Sequence, residues 1–160
     1  MTEQAIGLLL PESAQQTLET MFFVAPDTVS TITERDAGRP AGALIAATLS
    51  FQGLPHGHFG LLVQEALART LAANFIGCDE SGDLSSGQVT GVIGELANMI
   101  CGAVLSRLES DASFDLGAPQ SIEVGGDDPG PDFASGTPSI CRLEFPEGAL
   151  VAFLAFEDSV

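Results

Sequence analysis

One segment constrains the fold of this chain more than any other. Residues 85–109 read SSGQVTGVIGELANMICGAVLSRLE, and their apolar residues recur at helical spacing. At about 100° per residue, these side chains gather within about 120° of arc, the buried stripe of a helix packed on a sheet. They are Val89, Val92, Ile93, Leu96, Ile100, Ala103, Val104 and Leu108. The fold must therefore offer a long apolar surface to this helix.

The opposite side of the same helix carries a different set of residues. Gly91, Glu95, Asn98 and Gly102 fall together there, with Glu95 and Asn98 as neighbours on the helix surface. Each glycine inside a helix costs about 1 kcal/mol relative to alanine. One interpretation is a ridge that lets another molecule's backbone approach the two polar groups. The other is that Glu95 and Asn98 only solvate an exposed face, while the glycines pack against a neighbouring helix.

Composition limits the partners of this chain. Its 160 residues, 45% of them hydrophobic, predict one domain spanning residues 1–160 with a sizeable core. The formal net charge of −17 argues against binding to nucleic acid or to an anionic membrane surface. The acidity fits solubility, and it also fits a basic patch on a protein partner.

Cysteine and histidine usage predicts neither a disulfide framework nor a metal site. Cys78, Cys101 and Cys141 are far apart and form no CxxC pair, which favours a reducing cytoplasm. His56 and His58 lack a third ligand nearby, so they are expected in a turn between strands. No secretory leader is expected, nor any stretch approaching a membrane span. A soluble cytoplasmic protein is predicted.

The remaining pattern predicts an α+β fold. It consists of a helix at 11–24, a polar connector up to Pro40, strands at 42–53 and 58–64, a helix at 65–77, the long helix, and strands at 121–126, 139–145 and 149–157, with a loop at 125–138. These elements suit a mostly antiparallel sheet of about six strands with long helices packed on it.

Several residues suit helix ends. Pro11 and Ser13 fit the start of the first helix, and Gly77 fits the end of the second. Ser85 and Gln88 have the spacing of a capping box at the start of the long helix.

The order of elements indicates two similar halves. Each half begins with a helix and continues into strands, and Glu19-Thr20-Met21-Phe22 in the first parallels Glu95-Leu96-Ala97-Asn98 in the second. Chance repetition of so short a pattern is the alternative explanation.

The string GELANMICG, with an acidic loop before it and a proline after the helix, resembles the CheX members of the CheC/CheX/FliY family. Glu95 and Asn98 match the ExxN core of the family motif, and Pro119 approximates its distal proline, slightly early. Gly91 departs from the motif, which has Asp or Ser there, and the neighbouring Thr90 should face elsewhere. Phe22 stands where a second active Asn would be, so the chain is similar to the one-site CheX type.

The resemblance implies a CheC-like/CheX-like fold with two pseudo-equivalent halves, and a phosphatase for the aspartyl phosphate of a CheY-like response regulator in chemotaxis. Asn98 would orient the attacking water and Glu95 would contact the partner's lysine. Gly91, Gly102 and Pro119 would lie at the partner interface. No cofactor is expected in this chain, since the divalent metal, Mg²⁺ or a similar ion, belongs to the receiver.

Two further expectations follow from the same resemblance. One is a homodimer formed through sheet edges. The other comes from the departure at Gly91, which leaves a weakened phosphatase as an alternative to a fully active one. A catalytically silent module that binds a receiver or a flagellar-switch component is the main alternative function.

Overall fold

The computed structural model describes residues 3–32, 40–53, 56–77, 84–108, 115–125 and 139–157. The helices are α1 (Glu3–Met21), α2 (Glu65–Ile76) and α3 (Ser86–Leu108). The strands are β1 (Thr28–Ile32), β2 (Leu44–Gln52), β3 (His56–Gln64), β4 (Asp115–Leu116), β5 (Gln120–Val124), β6 (Ser139–Phe145) and β7 (Gly148–Glu157). This is the α+β class that the sequence predicts.

All strand pairs in the sheet are antiparallel. The order is β1-β6-β7-β3-β2, after which β4 and β5 both pair with β2. The arrangement has the two-half organisation that the sequence indicates. The long hairpins β2-β3 and β6-β7 meet at the centre, and each half's short strand, β1 or β5, pairs with the other half's hairpin. The described residues form seven strands, one more than the predicted sheet of about six, and the sequence located neither β1 nor the two-residue β4.

The two faces of the sheet have separate cores. Alternate residues of a strand point to opposite faces. In β2, Ile45 and Ala47 join the core shared with the helices, whereas Leu44 and Ala46 belong to a second buried cluster. The helices therefore lie on one side of the sheet, and the site can be described by its position relative to that side.

Helix α3 is the central element of the helical layer. It packs against α1, α2 and strands β2, β3 and β5. Its buried residues are Val89, Val92, Ile93, Gly94, Leu96, Ala97, Ile100, Cys101, Val104, Leu105 and Leu108. The predicted apolar stripe is thus confirmed, with Ala103 half-buried at its edge. The expectation that no stretch approaches a membrane span was wrong, because α3 is long and apolar enough to cross a membrane. More than half of its apolar stretch is buried inside this fold.

The predicted helix ends hold at α2 and α3. The Ser85 backbone N–H donates to Gln88 Oε1 at 2.9 Å, and the Gln88 N–H donates to Ser85 Oγ at 3.1 Å, which is a reciprocal capping box. Gly77 ends α2 in the left-handed conformation, with φ 84°, and its N–H donates to the Ala73 carbonyl.

Other predicted boundaries were wrong. Pro11 does not start α1 but lies inside it, because the helix begins at Glu3. The connector before Pro40 contains β1, an exposed edge strand that gives no apolar alternation to detect. His56 and His58 belong to β3 rather than to a turn. The predicted loop at 125–138 lies outside the described residues apart from Gly125.

The end of α1 contains the one described non-glycine residue with positive φ. Phe23 has φ 60° and is 73% exposed. The Val24 N–H donates to the Leu18 carbonyl at 3.2 Å and thereby closes the end of the helix around Phe23. A left-handed conformation costs an L-residue with a Cβ roughly 1–2 kcal/mol, and glycine avoids that cost.

We expect Phe23→Gly to raise the free energy of unfolding by about 1 kcal/mol, because it relieves the left-handed strain and removes little buried area. Urea denaturation measures this value. Phe23→Ala is the matched control, since it also removes the ring but keeps the Cβ. A glycine variant no more stable than the alanine variant would contradict the prediction.

Two buried thiols lie in the core. Burial raises the pKa of Cys101 to about 12, as it does the pKa of Cys141. The folded state therefore retains two thiol protons that the unfolded chain loses near pH 9.

The contribution of these thiols to the free energy of unfolding should therefore be constant below about pH 8. It should fall as the pH rises from about 9 towards 12, because the two thiols ionise in that range only in the unfolded chain. Urea midpoints measured between pH 8 and 10.5 test this sign. The double variant Cys101→Ala/Cys141→Ala should lose part of the slope. An identical slope in that variant would refute the assignment to these thiols.

Candidate functional site

The residues of the predicted outward side lie at or near the surface of α3. Glu95 and Gly91 are exposed, and Asn98 and Gly102 are half-buried. The capping box fixes the start of this helix, and its apolar stripe fixes the rotation about its axis. The same packing that buries Leu96 therefore turns Glu95 and Asn98 away from the core.

The side chains of Glu95 and Asn98 have no partner among the described residues. Within the part of the chain that the structure describes, neither side chain makes a hydrogen bond or an ion pair. The Glu95 carboxylate and the Asn98 carboxamide are therefore available to another molecule. Neither has to break a bond to a described residue first.

Helix α3 approaches the start of β5 closely at Gly94. A Cβ built on this buried glycine would lie 2.8 Å from Ser121 Oγ and 3.5 Å from Pro119 Cγ. No side chain larger than hydrogen fits there without displacing a neighbour. Gly94 thus packs against its own chain, at β5 and the residues just before it. Pro119 therefore contacts α3 at the residue next to Glu95.

The other two glycines have different surroundings. A Cβ at Gly91 would meet no heavy atom within 4 Å, so the helix is bare and open at this point. A Cβ at Gly102 would lie 3.9 Å from Leu116 Cδ2, an ordinary contact. The open surface is therefore at the Gly91 end of the ridge, beside Glu95.

Thr90, beside the site, and Phe22, in the first half of the chain, have structural roles. Thr90 Oγ1 donates to the Gly87 carbonyl at 3.2 Å, so its hydroxyl is bonded within its own helix. Phe22, the counterpart of Asn98 in the first half, is completely buried and stacks on Phe75 with ring centroids 5.0 Å apart. The first half therefore has a core aromatic residue where the second half has its amide.

The C-terminal end of α3 is tied to α1. Arg107 Nη1 donates to Ser13 Oγ at 3.2 Å, and Arg107 Nη2 donates to Gln16 Oε1.

No group of three or more His, Cys, Asp or Glu side chains suited to a metal ion occurs among the described residues.

Ser121 is the site residue that the sequence pattern does not reveal. It is half-buried, and its hydroxyl oxygen lies against α3 at Gly94. No local spacing links it to Gly94, because the contact depends on how β5 pairs with β2.

The antiparallel sheet with helices on one face is the fold of CheC-like proteins, and comparison with known proteins agrees. The sequence model of the family described as "Chemotaxis phosphatase CheX" matches residues 45–127, just over half of the chain. The chain belongs to this CheX family, within the CheC/CheX/FliY group. A search of curated protein sequences gives no significant match.

Solved structures show the same fold at low sequence identity. The chemotaxis protein CheX from Vibrio vulnificus is 22% identical with a TM-score of 0.75, covering 93% of this chain and 97% of its own. CheX in the CheX–CheY–BeF3–Mg²⁺ complex from Borrelia burgdorferi is 15% identical with a TM-score of 0.75, covering 94% and 97%. FliY from Thermotoga maritima is 17% identical with a TM-score of 0.65, covering 96% and 90%.

Proposed function

We propose that this protein hydrolyses the aspartyl phosphate of a phosphorylated CheY-like receiver domain, and that Glu95 and Asn98 carry the activity. The observation that supports this most strongly is the carboxylate and the amide on α3, which no described residue pairs with and which lie next to the open surface at Gly91. Membership of the CheX family supports the reaction class, and the Borrelia burgdorferi complex of a CheX with CheY supports the choice of partner.

Asn98 is the group that orients water in this proposal. Hydrolysis requires a water molecule in line with the leaving carboxylate oxygen, and positioning contributes most of the catalysis in phosphoryl transfer. A carboxamide accepts a hydrogen bond from the water through its oxygen and donates one to a phosphoryl oxygen through its nitrogen. Asn98 can present both ends because no described residue of its own chain occupies them.

Glu95 is the docking group. Its carboxylate would pair with the lysine in the receiver's phosphorylation pocket, and a charge pair at that point sets the register of the two proteins. Glu95 and Asn98 lie one turn apart, so binding through Glu95 brings the amide to the phosphate. Gly91 allows the receiver's backbone to approach, and Pro119 forms the flank of the same surface.

The receiver would supply the remaining chemistry. Its divalent metal, Mg²⁺ or a similar ion, neutralises charge on the phosphoryl group, and its aspartate is the leaving group. This chain then needs neither a nucleophile nor a metal ligand.

A catalytically silent receiver-binding module is the second candidate. The observation that favours it is Gly91, since the open helix surface there carries no polar side chain and the Thr90 hydroxyl is bonded to Gly87. Such a module would bind the phosphorylated receiver and leave its phosphate intact. A cytoplasmic location and a homodimer through the sheet edges remain predictions in both cases.

We expect Asn98→Ala to lower the rate of receiver dephosphorylation by about 10²–10³-fold while binding is largely retained, because one positioned hydrogen-bonding group at a developing charge is lost. Phosphate release from a phosphorylated CheY-like receiver measures the rate. Gln52→Ala is the control, since it removes an exposed amide from the sheet face opposite the helices.

Full activity of Asn98→Ala would overturn the catalytic assignment. Wild-type protein that binds the phosphorylated receiver without accelerating phosphate loss would instead establish the silent module.

We expect Glu95→Lys to weaken binding to the phosphorylated receiver by at least about tenfold, because an attractive contact with the receiver's lysine becomes repulsive. Titration with a phosphorylated or beryllofluoride-activated receiver measures the affinity. Glu19→Lys makes the same charge change at the exposed counterpart in the first half and should leave affinity unchanged. Equal effects of the two substitutions would argue against a specific contact at Glu95.

A further inference from the structure

Strand β5 brings a hydroxyl to the flank of the Glu95–Asn98 ridge. Ser121 is paired with Ala47 of β2, a residue of the helix-side core, so its side chain points to the helices. The Ser121 hydroxyl oxygen lies 2.8 Å from the position that a Gly94 Cβ would take. Ser121 is half-buried and, among the described residues, makes no side-chain hydrogen bond.

The direction of helix side chains brings Asn98 towards this hydroxyl. Residues four apart on a helix are surface neighbours, so Asn98 lies one turn beyond Gly94 on the same side. Helix side chains lean towards the N-terminus and cover the preceding turn. The Asn98 carboxamide therefore covers the turn at Gly94 and Glu95, which Ser121 touches from the strand.

We propose that Ser121 is a positioning residue for Asn98, with its hydroxyl hydrogen-bonded to the carboxamide during turnover. The terminal torsion of asparagine is broad, so an exposed amide samples many orientations. A hydrogen bond from a strand residue narrows that range and holds the amide plane for contact with water and phosphate. The proposed bond would join two side chains of this chain, and its effect on rate rests on the proposed phosphatase function.

Gly94 has a specific role in this arrangement. Any Cβ at position 94 would push the Ser121 hydroxyl from its place, since 2.8 Å is too short for a carbon–oxygen contact. Pro119 would tolerate a Cβ there, because its nearest atoms are 3.5 and 3.6 Å away. The missing side chain at position 94 thus preserves the hydroxyl's position against the helix, one turn before Asn98.

The test measures kcat and KM for dephosphorylation of a phosphorylated CheY-like receiver. We expect Ser121→Ala to lower kcat by about 3- to 10-fold with KM unchanged, the effect of losing one net hydrogen bond in the transition state. Gly94→Ala should lower kcat similarly without lowering the urea midpoint, because alanine favours the helix but displaces the hydroxyl. Ser30→Ala, on the opposite edge strand β1, is the matched control and should be unchanged.

A hydroxyl supplied by the helix instead of the strand distinguishes the effect of the hydrogen bond from the effect of packing. In the Ser121→Ala background, Gly94→Ser places a hydroxyl in the space vacated by the Ser121 oxygen, and kcat should recover at least threefold. Gly94→Ala in the same background fills that space without a hydroxyl and should not recover. Recovery in both double variants, or an unchanged kcat in Ser121→Ala, would overturn the proposal.

A second measurement does not depend on phosphatase activity. In the complex with a beryllofluoride-activated receiver, ¹⁵N relaxation of the Asn98 side-chain amide should show restricted motion, and Ser121→Ala should increase that motion. Equal mobility in the two proteins would refute the contact. If wild-type protein is inactive yet the mobility changes, the proposed function fails and the Ser121–Asn98 contact stands. Suppose instead that the wild-type protein is active, that Asn98→Ala is inactive and that Ser121→Ala leaves the mobility of the amide unchanged. The proposed function then stands and the Ser121–Asn98 contact fails.

Discussion

The burial of one face of α3 against the sheet and the other two helices is the interaction on which the rest of the structure depends. Side chains such as Ile93, Leu96 and Ile100 have no solvent exposure, and full burial of one aliphatic side chain contributes about 1.5–3 kcal/mol. This packing fixes the rotation of the helix, and the capping box and Arg107 fix its two ends. Glu95 and Asn98 are thereby held in position without using their own polar groups.

An anchored helix with free polar groups suits a reaction that needs positioning rather than covalent chemistry. In the proposed mechanism the receiver contributes phosphate, metal and leaving group, and this chain contributes an amide and a docking charge. The two halves of the fold are not equivalent in this respect. Phe22 is committed to the core in the first half, whereas Asn98 reaches the surface in the second. The proposed site is therefore single.

Much of the fold was predictable because local signals agreed with the tertiary contacts. The apolar period of α3, the Ser85–Gln88 capping box and the glycine at the end of α2 each depend on residues close in sequence. The failures had physical causes. Strand β1 is exposed and held mainly by pairing with β6, so its own residues carry little signal. Pro11 suits a helix start, yet α1 accommodates it internally.

The sequence by itself determined which residues of α3 face inwards and which face outwards, because a period of about 3.6 residues is a local property of the helix. It thereby placed Glu95 and Asn98 on the accessible side. Only the tertiary structure decided what lies beside them. The contact of Gly94 with Ser121 and Pro119 depends on the register of β5 on β2, and register arises from pairing between distant segments rather than from spacing within one.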